Sequence, residues 1–99
     1  MRPKLIAVDI DQTLTKEVCF TEEDCLKATP VEEAILYVND LYDHHFVVIY
    51  TGRRIRLAEA TLKWLTQHHV RYHAIRFEKM PYDKLIDSDV LRVGEELTE

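Results

Sequence analysis

An α/β fold of the three-layer, Rossmann-like kind, built on a small parallel sheet, is what this sequence predicts, and three observations carry it. Short apolar segments rich in β-branched and aromatic residues alternate with stretches of helical periodicity, the pattern of βαβ units. The 99 residues suffice for one domain, and with only two glycines and three prolines the chain is neither collagen-like nor low in complexity nor dominated by loops. Acidic, hydroxyl and amine residues then recur at the ends of the apolar segments, where open parallel sheets bind ligands.

The elements follow in order. Leu5-Ile6-Ala7-Val8 is a continuous apolar run and reads as a buried strand that ends in Asp9-Ile10-Asp11. Residues 12 to 29 are mixed and polar, a connection long enough to serve as a flap. Thr29-Pro30-Val31-Glu32 announces a helix: Thr29 suits the cap, Pro30 the first turn and Glu32 the capping-box position. Val31, Ala34, Ile35, Val38, Leu41 and Tyr42 give it one apolar face. Phe46-Val47-Val48-Ile49-Tyr50 is a second buried strand, ending at Thr51-Gly52-Arg53-Arg54. A second helix is expected from about Ile55 to His68, with Ala58, Thr61, Leu62 and Leu65 inward. Tyr72 to Phe77 has strand composition, and Leu85-Ile86 before Asp87 reads as a short fourth strand.

Composition narrows the function. The net charge of −5 disfavours general nucleic-acid binding, although a local basic patch is compatible with it. No apolar run approaches membrane-spanning length and the N-terminus lacks a signal-peptide core, so a cytoplasmic protein is expected. Cys19 and Cys25 have no zinc or redox spacing and are expected as free thiols.

Right-handed crossovers bring all strand C-termini to one rim. Asp9 and Asp11, Thr51, Lys79 and Asp87 would therefore meet there. Neighbouring carboxylates repel unless a cation intervenes, and a few oxygen ligands suit Mg²⁺, which also binds phosphate. A hydroxyl and an ammonium at the same rim answer the oxygens of a phosphoryl group. The chemistry suggested is metal-assisted phosphoryl transfer with a carboxylate nucleophile.

These residues resemble a known family. Asp9-Ile10-Asp11-Gln12-Thr13-Leu14-Thr15 is similar to the DxDGT(L/V) signature of the haloacid dehalogenase-like phosphohydrolases, and Ile49-Tyr50-Thr51-Gly52-Arg53 to their second motif. Glu78-Lys79-Met80-Pro81-Tyr82-Asp83 and Leu85-Ile86-Asp87 resemble the third and fourth motifs of small capless members. Residues 65 to 87 also resemble a branch associated with capsule or sugar-nucleotide biosynthesis. The resemblance implies that residues 1–99 form a single capless catalytic core, with the flap at about 12–29. It implies a Mg²⁺-dependent phosphatase that hydrolyses a phosphomonoester through an aspartyl-phosphate. Asp9 would be nucleophile and Asp11 general acid and base; Thr51 would bind a phosphoryl oxygen and Lys79 neutralise the intermediate. Asp9, Asp87 and the backbone carbonyl of Asp11 would hold Mg²⁺. Gln12, Thr13, Gly52 and Arg53 would lie at the substrate.

The sequence departs from that pattern in three places. Gln12 replaces the usual Gly, which is tolerated if φ there is negative, and its amide would then be within reach of substrate. Ser88 stands where the nearest branch has a second acidic residue, and Lys84 competes with Lys79, whose spacing to Asp87 fits better. Arg53-Arg54-Ile55-Arg56 reads either as a solvated helix face or as a contact for an anionic substrate tail. The pairs His44-His45 and His68-His69 fall at helix C-termini, where positive charge is favourable, rather than at metal spacing. Without a cap, the substrate would be a sugar phosphate or a larger phosphate ester, and a second subunit would be free to supply a lid. Two other readings stand beside the phosphatase: a catalytically weak or inactive metal-binding interaction module, and a receiver-type phosphoacceptor. The second is disfavoured because the middle strand ends in Thr51 and not in Asp.

Overall fold

A computed structural model of the chain describes residues 2–79 and the strand 90–93. Its elements run β1 (Leu5–Val8), α1 (Glu22–Lys27), α2 (Glu32–Tyr42), β2 (Phe46–Tyr50), a 3₁₀ turn (Ile55–Leu57), α3 (Ala58–Gln67), β3 (Ala74–Arg76) and β4 (Val90–Val93). The four strands form one parallel sheet in the order β3-β2-β1-β4. This is a Rossmann-like α/β arrangement. Ile6, Ala7 and Val8 are all buried, on both faces of β1, as a central parallel strand requires.

The two leading strands lie where the hydrophobic runs place them, in register Leu5 with Phe46 through Val8 with Ile49. Strand β3 is shorter than Tyr72 to Phe77. The imidazole of His73 stacks on Tyr42 at 4.1 Å and its Nδ1 accepts the Val47 amide, so side chains occupy the start of that segment. The fourth strand described is Val90–Val93, beside β1, a segment that the apolar pattern does not single out. Leu85, Ile86 and Asp87 lie outside the described residues, as do Lys84 and Ser88.

Helix α2 presents Ile35 and Val38 to the core, with Ala34, Leu41 and Tyr42 packed around them. It does not begin as expected. Its cap is Val31, which offers no side-chain bond, because Thr29 is turned toward the flap and donates its amide and hydroxyl to the Glu17 carboxylate at 2.8 and 2.6 Å. The inner stripe of α3 also differs. Leu57, Ala60, Thr61, Trp64 and Leu65 are buried, at spacings of three and four, while Leu62 is exposed and Ala58 half-exposed. Trp64 sets this rotation: its indole N–H donates to the Ala28 carbonyl at 2.9 Å and ties the helix to the end of the flap.

The flap is itself ordered structure. The amides of Thr13, Leu14 and Thr15 all converge on the Ile10 carbonyl, turning the chain sharply out of β1. Thr15 pairs with Pro30 in an antiparallel bridge, and the Lys16 amide donates to the Thr29 carbonyl, so both flap ends are joined. Between them, Thr21 and Asp24 form a reciprocal capping box that starts α1. That signal, Thr21 followed three residues later by an acid, was present in the sequence within what reads as a plain connection.

Candidate functional site

The site is assembled where β1 and β2 end. Since Val8 pairs with Ile49, Asp9 leaves the sheet beside Tyr50 and Thr51. Buried Ile10 anchors the turn in the core, while Asp9 and Asp11 on either side of it stay partly open to solvent. The Ile10 amide donates to Asp9 Oδ1 at 2.8 Å, which orients that carboxylate.

Thr51 is fully buried, and its hydroxyl accepts the Arg53 amide at 3.1 Å, a tight turn that fixes the loop after β2. The segment following β3 clasps this loop. The Thr51 amide donates to the Arg76 carbonyl, the Glu78 amide to the Arg53 carbonyl, and the Lys79 amide to the Thr51 carbonyl at 2.9 Å. Glu78 holds a positive φ of 58° as it makes this turn, and its carboxylate accepts the Ile55 amide at the start of the 3₁₀ turn. Lys79 thereby reaches the rim, with its ammonium 5.5 Å from the centre of the Tyr50 ring. Lys79 is thus brought to Thr51; Lys84, its sequence competitor, lies outside the described residues.

Arg53 is where structure and expectation part most clearly. Neither reading of it as a solvated helix face nor as a contact for a substrate tail describes its position. It is only 5% exposed, and its guanidinium is committed to protein groups. Nη2 and Nε bond the Asp11 carboxylate, with Nη2 to Oδ1 at 2.8 Å; Nη1 donates to the Thr61 hydroxyl at 2.9 Å and contacts Cys25 Sγ at 3.4 Å. Burial pulls the Arg53 pKa down, but the Asp11 carboxylate more than offsets it, leaving Arg53 above its ordinary value. Asp11 also accepts the Cys19 amide at 3.1 Å, which binds the flap to the rim. Cys25 and Thr61, the other partners of Arg53, carry no sequence motif; only their inward helical positions mark them.

Gln12 adopts φ of 60°, the left-handed conformation, so the condition under which glutamine fits without strain is not met. Its neighbour Thr13 is buried, and the Thr13 hydroxyl has no hydrogen-bond partner among the described residues. Gly52 is exposed, and a Cβ placed on it would meet only the Lys79 carbonyl, at 4.0 Å.

The cysteines are free thiols, and both are buried. Burial pushes the Cys19 thiol up to about 11. His45 accepts the Lys4 amide and His68 packs on Trp64; among the described residues no three His, Cys, Asp or Glu side chains converge on a metal position. Nor is any described helix long and apolar enough to cross a membrane.

No family model and no curated protein matches this sequence. Solved structures do match its fold. A chain of the Pnkp1/Rnl/Hen1 RNA repair complex superposes with a TM-score of 0.71 over 91% of this chain at 15% identity, and one from a Pnkp1/Rnl/Hen1 complex with 0.68 over 83% at 17%. This chain spans only 34% and 30% of those two. A Vibrio cholerae protein superposes with a TM-score of 0.65, covering 85% of this chain and 79% of its own length at 26% identity. The fold shared with these proteins is the Rossmann-like α/β fold, and this chain is similar to them at that level.

Proposed function

We propose that this chain is a Mg²⁺-dependent phosphomonoesterase that works through an aspartyl-phosphate. The observation that supports the reading best is the clasp at the rim. Three backbone hydrogen bonds hold the segment of Lys79 against the Thr51–Arg53 loop, directly beside the turn that carries Asp9 and Asp11. The likeness to chains of RNA repair complexes agrees with phosphate-ester chemistry.

In this reading a carboxylate oxygen of Asp9 attacks phosphorus as the ester P–O bond breaks, and Asp11 delivers a proton to the leaving oxygen. Water then attacks the Asp9-bound phosphoryl group, returning its proton to Asp11 and releasing inorganic phosphate. Thr51 and Lys79 face the phosphoryl oxygens, and the buried Thr13 hydroxyl beside them has no hydrogen-bond partner among the described residues.

The rim donors fit a hard cation. The Asp9 carboxylate and the main-chain carbonyl of Asp11 are oxygens, while the Asp11 carboxylate is engaged by Arg53. Asp87, outside the described residues, would complete the set. When bound, Mg²⁺ supplies charge neutralisation that lets a carboxylate approach a phosphate.

The test is hydrolysis of p-nitrophenyl phosphate and a panel of phosphate esters with Mg²⁺, with loss of turnover in Asp9→Asn. A protein inactive on every ester supports the second reading, a metal-binding interaction module. That reading is favoured by one observation: the Asp11 carboxylate is already bonded by a protein group, the Arg53 guanidinium, with Nη2 to Oδ1 at 2.8 Å.

A further inference from the structure

Next to Asp11 a cleft of about 330 Å³ opens toward solvent, and its lining includes Val18, Phe20, Arg53, Arg54, Arg56 and Leu57. It is within the size range of small-ligand sites. Its wall combines two kinds of group. Arg54 and Arg56 are exposed; Arg54 meets Glu78 only at 3.9 Å, and Arg56 has no carboxylate partner among the described residues. Arg53, already neutralised by Asp11, adds no net charge. The cleft therefore carries cationic groups that the protein itself does not balance closely.

The second group is Phe20, whose side chain is exposed (69%) although its backbone is fixed on both sides. Its amide donates to Asp24 Oδ2 at 3.3 Å within the α1 cap, and its carbonyl accepts Arg56 Nη2 at 3.3 Å. An aromatic ring held in water on a pinned backbone, beside guanidinium groups, is the arrangement that stacks a base and pairs its phosphate.

We propose that this cleft binds the nucleotide next to the terminus of a single-stranded nucleic acid, with its base on Phe20 and its backbone phosphate on Arg54 and Arg56, so that the terminal phosphate lies at Asp9. The inference rests on the phosphatase reading for the position of that terminal phosphate, but the cleft is a binding site in its own right. It revises the expectation drawn from net charge: −5 describes the whole chain, whereas the field in the cleft is set by its arginines.

The experiment compares kcat/KM for a terminally phosphorylated oligonucleotide, a nucleoside bisphosphate, a nucleoside monophosphate and a hexose phosphate. Alongside it, fluorescence anisotropy measures binding of the labelled oligonucleotide to Asp9→Asn protein. The oligonucleotide is expected to exceed the hexose phosphate by about tenfold or more, the gain that one stacked base provides. Phe20→Ala and Arg56→Ala should each weaken oligonucleotide binding by about tenfold, and Arg56→Ala should flatten the salt dependence by about 0.7 in logarithmic slope. Preference for the bisphosphate over the oligonucleotide would identify a free nucleotide as the occupant and overturn the strand. Hydrolysis of all four esters at similar efficiency, with binding indifferent to Phe20 and Arg56, overturns the cleft inference and leaves the phosphatase standing. Phe20- and Arg56-dependent binding without any hydrolysis supports the cleft and removes the phosphatase.

Discussion

Arg53 Nη2 lies 2.8 Å from Asp11 Oδ1, joining a guanidinium that is 2% exposed to a carboxylate that is 20% exposed and 42 residues earlier in the chain. The pair binds the end of β1 to the loop after β2, and through Thr61 and Cys25 it reaches α3 and α1. Breaking it from one side leaves the other charge stranded. Arg53→Met is expected to lower stability by about 3 kcal/mol in urea titration, the lower part of the range for a buried pair, because Asp11 keeps some access to water. Asp11→Asn should cost a comparable amount, and the double variant less than the sum of the two.

Gln12 leads to the opposite prediction. Its left-handed backbone costs about 1–2 kcal/mol for a residue with a Cβ, against a smaller loss of unfolded-chain entropy from glycine. Gln12→Gly should raise stability by about 0.5–1 kcal/mol, seen as an upward shift in Tm. Gln12→Val, β-branched in the same conformation, should lower it.

Cys19 should be inert in the folded protein. Burial raises its thiol from 9.0 to about 11, so alkylation at pH 8 should proceed only as fast as the flap opens. Because the folded value is the higher one, the folded state holds its proton longer. The associated stability is complete below the unfolded pKa and declines as pH climbs from 9.0 toward about 11. Urea midpoints between pH 8 and 10.5 should fall more steeply for the natural protein than for Cys19→Ala.

Glu17 behaves in the other sense. The Thr29 hydroxyl and amide hold its pKa below the ordinary 4.5. The contribution is present above the unfolded pKa and disappears as pH falls below 4.5 through the folded value. Protection of the Thr29 amide, its exchange relative to an unprotected amide at the same pH, should fall on acidification over that window, and in Glu17→Gln it should be low throughout.

How far the sequence can be read depends on which force decides each feature. Strands β1 and β2 are fixed by continuous apolar runs buried on both faces, and both lie where Leu5–Val8 and Phe46–Tyr50 put them. Helix α2 has the face that its periodicity specifies, but its start is decided at long range, by Glu17 drawing Thr29 away from the cap. The rotation of α3 likewise depends on Trp64 reaching the Ala28 carbonyl, 36 residues away. At the rim, Asp9, Asp11 and Thr51 stand at strand ends, and local pattern suffices to group them. Arg53 reads locally as a surface residue, since nothing near it in sequence announces Asp11, Thr61 and Cys25 as its partners. Phe20 was hidden for the same reason: an exposed aromatic acquires meaning only beside Arg56.

The Thr15–Pro30 bridge has an architectural consequence. The 14 residues from 16 to 29 leave and return through a single closed neck, sealed by the Lys16–Thr29 and Val31–Leu14 backbone bonds. The neck holds the two ends of the loop together, while the Cys19 amide on Asp11 and the Cys25 thiol against Arg53 tie its middle to the rim. A loop of another length could hang from the same neck without shifting the register of β1 and β2, but it would take from the Asp11–Arg53 pair the two loop contacts that brace it.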